Sequence, residues 1–134
     1  MKSIKHLDWN GYHGYIDRLA KKIDSKPIYK YIAGIDIDDM IVAVHLSHKI
    51  SFPVKVITDI NLFSLVGDFT DFNDDLLIVS NVVETGNTFD NIMKQTGQSH
   101  TAVLFKDKDS KFKPTYYVEV PEDRIYFPWE KCGI

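Results

Sequence analysis

Leu76-Leu77-Ile78-Val79-Ser80-Asn81-Val82-Val83-Glu84-Thr85-Gly86-Asn87-Thr88 runs from an apolar stretch through a Thr-Gly-Asn-Thr turn and on into a helical pattern. The four apolar residues Leu76 to Val79 predict a buried strand. Phe89, Ile92, Met93 and Thr96 recur at i, i+3, i+4 and i+7, which predicts a helix from about Thr88. The free N–H groups of such a helix carry a partial positive charge and face the turn, where a glycine lets an oxyanion approach the backbone closely. The segment has the make-up of a phosphate loop. The same letters also suit an ordinary strand-turn-helix connection, so the remainder of the chain has to decide.

Working outward, helix and strand patterns alternate. Tyr12, Tyr15, Ile16, Leu19, Ala20 and Ile23 share one face of a first helix that Ser25-Lys26-Pro27 stops. Tyr29 to Ile35 reads as a strand, Ile41 to Ile50 as a helix with Ala43, Leu46, Ser47 and Ile50 in register, and Pro53 to Ile57 as a second strand. Residues 58 to 75 read as a polar, acidic loop. Beyond the third helix, Thr101 to Lys106, Tyr116 to Val120 and Ile125 to Phe127 are strand-like. This alternation predicts an α/β fold with a parallel-centred sheet flanked by helices and with ligands at the carboxyl ends of the strands.

Composition narrows the function classes. A chain of 134 residues with 44% apolar content can bury a real core, and no Pro/Gly/Ser-rich linker or repeat divides it, so one domain over 1–134 is expected. Sixteen Lys and Arg are scattered against 19 Asp and Glu, for a net charge of −3, which argues against a nucleic-acid partner. The lone cysteine, Cys132, gives no disulfide framework. Met1 to Asn10 is too polar for a signal peptide and no apolar run reaches the ~20 residues of a membrane span, so a cytoplasmic protein without a membrane partner is expected. Of the five histidines only His45 and His48 share a helical face, a spacing that suits solvated or capping roles better than metal binding.

The phosphate-loop stretch, the Lys113-Pro114-Thr115-Tyr116-Tyr117 segment and the Phe127-Pro128-Trp129-Glu130 ending occur in that order. In this combination the chain resembles the type I purine phosphoribosyltransferases, above all the small xanthine/guanine/hypoxanthine-type enzymes of microbes and their phages, from Tyr12 to Glu130. Such enzymes move ribose 5-phosphate from phosphoribosyl pyrophosphate to a purine nitrogen, with magnesium holding the diphosphate. The resemblance implies that Glu84, Thr85, Gly86, Asn87 and Thr88 cradle the 5-phosphate and that Glu84 lies near the purine N7 as the catalytic acid or base if turnover occurs. It places Ser80 and Asn81 at the ribose, and Lys106, Arg124, Ile125 and Tyr126 at a 6-oxopurine base. It also implies a homo-oligomer, for which Ile60, Leu62, Phe63, Leu65 and Val66 offer apolar surface, although these residues equally suit packing on the domain's own core.

Three positions depart from the family pattern. Two consecutive acids that hold the ribose and help place magnesium are here the neutral pair Ser80 and Asn81. The Arg/Lys-and-glycine loop that wraps pyrophosphate is replaced by Asp36-Ile37-Asp38-Asp39, which would repel a diphosphate unless a divalent cation sits between them or, alternatively, act as the acidic start of the next helix. Arg124 stands where relatives often carry a tryptophan that stacks on the base, a role a guanidinium can also fill. Two classes of function compete. The favoured one is a binding protein for a purine nucleotide or nucleotide-derived small molecule, catalytically impaired, needing no metal or cofactor, and acting as a sensor or sequestering protein. The alternative is an active purine-salvage phosphoribosyltransferase that uses Mg2+. On the loop-as-cradle reading, Gly86→Val should weaken binding with little loss of fold.

Overall fold

The computed structural model describes residues 3–24, 28–57, 75–84, 86, 89–90 and 100–130. Among them the chain forms β1 (Ile4–His6), α1 (Trp9–Asp24), β2 (Tyr31–Gly34), α2 (Ile37–Lys49), β3 (Lys55–Ile57), β4 (Leu76–Val83), β5 (His100–Lys106), β6 (Tyr116–Glu119) and β7 (Arg124–Tyr126). Five strands pair in the order β3-β2-β4-β5-β6, and every pairing is parallel. The expected α/β class and parallel-centred sheet are thus observed.

Strand β4 lies at the centre and shows why the apolar run decides the architecture. Alternate residues point to opposite faces. Leu77 and Val79 join the larger core with Ile16, Leu19, Val42 and Leu46 of the two helices, while Leu76 and Ile78 join a second core with Ala33, Phe89 and Val103. Both faces are covered, so the strand reads as continuously apolar instead of alternating. Helix α1 is the amphipathic helix expected, capped by Asp8, whose carboxylate accepts the Gly11 N–H at 2.7 Å, and it buries Tyr12, Ile16, Leu19, Ala20 and Ile23. Below the sheet's amino end, Tyr29 hydroxyl bonds both His100 Nδ1 and, at 2.7 Å, the Tyr116 hydroxyl, tying the entrance of β2 to β5 and β6.

Several boundaries differ from the sequence-based expectation. Helix α2 starts at Ile37, four residues ahead of Ile41, because Asp36 is its N-cap: the Asp36 carboxylate accepts the Asp39 N–H at 3.0 Å. The acid run is therefore the helix start, with Asp38 and Asp39 in its first turn, and not a wrapping loop. Strand β4 continues past Val79 to Val83, carrying Ser80 and Asn81 as strand residues. Ile125 and its neighbours leave the main sheet: β7 pairs in parallel with β1, a strand that three exposed residues with no apolar alternation gave no reason to expect. Of the third helix, the described residues are Phe89 and Asp90, with the Asp90 N–H donating to the Gly86 carbonyl at 2.9 Å as in a first helical turn. Ile92, Met93, Thr96 and the run Ile60 to Val66 lie outside the described residues. No helix among the described residues is long and apolar enough to cross a membrane.

The strand order puts a topological switch between β2 and β4, since the chain runs outward from β2 to β3 and then returns to β4. Crevices for ligands open at the carboxyl ends of the strands at such a point.

Candidate functional site

Two adjoining cavities open where this topology places them. The larger, about 580 Å³, is lined by Asn81, Val82 and Glu84 of the β4 end, by Asp107, and by Pro121, Asp123, Arg124, Ile125, Phe127 and Glu130. The smaller, about 250 Å³, lies between the β2 and β4 ends and is lined by Ile35, Asp36, Asp39, Ser80, Asn81, Val82, Val83, Glu84, Gly86 and Phe89. Asn81, Val82 and Glu84 belong to both, so the two form one groove with two lobes. The larger lobe falls within the size range of small-molecule sites.

Strand β7, paired with β1, borders the larger lobe. Arg124 and Ile125 reach it, while Tyr126 does not line it and instead stacks on His6, ring centroids 5.8 Å apart. The Arg124 guanidinium sits 5.3 Å from the centre of the Tyr126 ring. Glu130 folds back so that its carboxylate accepts the Phe127 N–H at 3.3 Å. Lys106, expected at the base, pairs across the sheet with Val83, and its ammonium lies 3.5 Å from the Asp107 carbonyl, outside the lining of either lobe. Of the expected base residues, the structure brings Arg124 and Ile125 to the cavity and leaves Lys106 and Tyr126 beside it.

Gly86 forms the floor of the smaller lobe, with φ of +89°, a conformation that favours glycine. A Cβ placed there would lie 2.3 Å from Phe112 Cβ. Phe112 in turn stacks on Phe89 at the helix start, 4.9 Å between centroids. The expectation that Gly86→Val spares the fold is therefore corrected: the glycine is locked under Phe112 as well as bordering the lobe. Phe112 had no sequence signal, since it stands in a polar Lys-Phe-Lys stretch. Thr85, Asn87 and Thr88 lie outside the described residues.

At the opposite side of this lobe a contact joins two expected site positions. Asp39 is 4% exposed and Ser80 5%. Asp39 Oδ1 accepts the Ser80 hydroxyl at 2.8 Å and the Asn81 N–H at 3.1 Å. Asp36 and Asp39 border the lobe, while Ile37 and Asp38 point to solvent. Helix α2 comes this close because Gly34 has no side chain: a Cβ there would lie 2.7 Å from the Asp39 carbonyl carbon. Burial, and after it the Asp36 charge, push the Asp39 carboxyl up to about 7 against the pull of its hydrogen bonds. Among the described residues no three His, Cys, Asp or Glu side chains meet in a way that could hold a metal ion. The β4 end offers a hydroxyl and an amide where a magnesium-placing acid pair would stand, which does not fit that ion.

The Asp39 shift has a measurable consequence for stability. The carboxyl ionises near 3.9 in the unfolded chain and near 7 in the folded one, so the unfolded chain sheds its proton first. Folding is penalised increasingly as pH rises from about 4 to about 7, with no further change from this group above that. Urea unfolding at pH 5 and 7.5 should show wild type losing about 2 kcal/mol relative to Asp39→Asn over that interval. Parallel pH profiles for the two proteins would show that Asp39 carries no such penalty.

A five-stranded parallel sheet of this order, with a ligand groove at its switch point and a separate strand pair walling one lobe, defines a class: the chain has the type I phosphoribosyltransferase fold. It is similar to the purine phosphoribosyltransferase from Pyrococcus horikoshii, with 28% identity, a TM-score of 0.77, and 98% of this chain and 97% of that one covered. It is also similar to a xanthine-guanine-hypoxanthine phosphoribosyltransferase from Helicobacter pylori (16% identity, TM-score 0.74, 96% and 93% covered). A third similar structure is a hypothetical protein from Neisseria gonorrhoeae with bound ppGpp (20% identity, TM-score 0.70, 100% and 93% covered). No protein-family model matches the chain. No curated protein matches it either.

Proposed function

We propose that this protein binds a purine nucleotide in the two-lobed groove, base and ribose in the larger lobe and 5-phosphate toward Gly86, and that it is impaired as a transferase. The observation that carries this reading is the Asp39–Ser80 contact. The β4 end that should present two carboxylates to ribose and metal presents instead a hydroxyl already committed to a buried acid. The groove, the positive φ of Gly86 and the Asp90 N–H bond to the Gly86 carbonyl support a retained ligand site. Similarity to purine phosphoribosyltransferases and to a protein holding ppGpp supports a purine nucleotide as the ligand class. On this reading binding needs no cofactor, and the protein serves as a sensor or sequestering protein in the cytoplasm, as a homo-oligomer.

One observation favours a second reading, an active purine-salvage transferase that uses Mg2+: the 28% identity with the Pyrococcus enzyme extends over nearly the whole chain. A single titration series separates the two. Guanosine or inosine monophosphate should bind more tightly than phosphoribosyl pyrophosphate, with little effect of magnesium and no nucleotide formed from guanine or hypoxanthine. Tight, magnesium-dependent binding of the pyrophosphate donor together with nucleotide formation would replace the binding-protein reading with the enzymatic one.

A further inference from the structure

Helix α2 is apolar on two opposite faces. Its inner face places Val42, Ala43 and Leu46 in the larger core. Ile37, Ile41, Val44 and His48 follow one another at i, i+4, i+7 and i+11, and at about 3.6 residues per turn they share the line directly opposite. Ile37 is 70% exposed and Val44 40%, while Ile41 is half-buried and His48 exposed. Met40, the next apolar residue round the helix, is turned inward, its sulfur accepting the Gly34 N–H at 3.3 Å. Trp9, 47% exposed, lies alongside on α1 with its ring 6.2 Å from that of His45, and widens the apolar surface.

A helix at a free surface turns polar residues outward, and one that is apolar all round is covered on both sides. Single exposed apolar side chains are ordinary. Three in register on the outermost line of one helix, with a tryptophan beside them, form a patch that marks an interaction site. Their spacing is that of a seam between two helices.

Charge selects what covers the seam. Asp38 in the first turn of α2 and Lys49 in the last are both exposed. They are separated by about three turns, so they stand on the same flank of the stripe. A second α2 laid antiparallel across the first, with a two-fold axis between Ile41 and Val44, sets each Ile41 against Val44 of the other copy and each Ile37 against His48. The same rotation keeps the flanks matched, so Asp38 of each copy stands beside Lys49 of the other, and the two helix dipoles oppose. Within its own chain Lys49 meets Asp17 at 3.4 Å, an exposed pair of little strength that a second acid can share.

We infer that α2 is a dimer interface, on which a second copy of this chain packs its own α2 antiparallel along Ile37, Ile41 and Val44. This gives the homo-oligomer of the reading above a specific surface, and it stands or falls independently of the ligand. Because Asp36 caps the same helix and borders the smaller lobe, the interface begins next to the groove.

Sedimentation equilibrium of the full chain tests this. Wild type should run at twice its 15.4 kDa chain mass. Ile37→Glu combined with Val44→Glu, at two positions already open to solvent, should run as a folded monomer with the circular dichroism of wild type. Asp38→Lys and Lys49→Glu should each weaken the dimer about tenfold, because each turns two attractions into two repulsions. Mixed together, these two single variants should regain wild-type association, since lysine 38 of one chain then meets glutamate 49 of the other and the natural pair meets on the second flank. That rescue is specific to the antiparallel arrangement. A monomeric wild type overturns the inference, and so does a dimer that survives the paired glutamates or a mixture that associates no better than its components. None of these outcomes touches nucleotide binding, which the titration series above decides.

Discussion

Gly86→Val should lower the melting temperature by more than about 10 °C, a loss of about 4 kcal/mol or more for a domain of this size. Two costs add. A β-branched residue is strained at φ of +89°, and its Cβ would overlap Phe112 Cβ at 2.3 Å. Because the atom struck is a Cβ, which alanine retains, Phe112→Ala should not rescue the variant. Circular dichroism melts of wild type, the single and the double variant decide this. A valine variant that melts with wild type would mean that the turn can swing away from Phe112, and that Gly86 is kept for the ligand alone.

Ser80→Asp should cost about 3–5 kcal/mol, the scale of an uncompensated buried charge. The Ser80 hydroxyl is 2.8 Å from Asp39 Oδ1 and both residues are buried, so the new carboxyl would face the Asp39 carboxyl with no cationic side chain lining the lobe among the described residues. Combining it with Asp39→Asn restores one acid and one neutral partner and should recover most of the loss, a coupling that a double-mutant cycle in urea reads directly. Stability of Ser80→Asp equal to wild type would show that the α2 end yields. On the binding-protein reading, acids placed at positions 80 and 81 should not by themselves create turnover, because the one at position 80 would lie against the Asp39 carboxyl.

The apolar runs made the strands legible, because buried parallel strands need uninterrupted hydrophobic residues, and β4 is the strongest case. The 3.6-residue pattern made α1 legible for the same reason. Helix α2 was half legible. Its apolar face marked residues from Ile41, whereas its first turn is polar, and only the capping bond of Asp36 shows where it begins. At the site, the turn at Gly86 carries a local signal, whereas Ser80, Asn81, Glu84 and Arg124, which also border the groove, were assigned roles only through the resemblance. The burial of Asp39 has no such signal. Its partners lie 41 and 42 residues away, and an aspartate in a run of aspartates looks the same on paper whether it faces water or the core. The direction of Lys106 was illegible too, since one residue's place at a strand end does not say which way a flexible side chain turns.

The pairing of Ile4–His6 with Arg124–Tyr126 sets a timetable for the groove. These strands are about 120 positions apart, and Ser3 hydroxyl bonds Asp123 across the same distance. Helices α1 and α2 and strands β2 to β4 are made well before Arg124, whereas Ile125 and Phe127, which belong to the larger core, come after it. The wall of the larger lobe must wait for it, because among the described residues β7 pairs with β1 and with no strand of the main sheet. A newly made chain therefore passes through a stage in which part of the larger core and one wall of the groove are still missing, and the closed groove is the last feature it acquires.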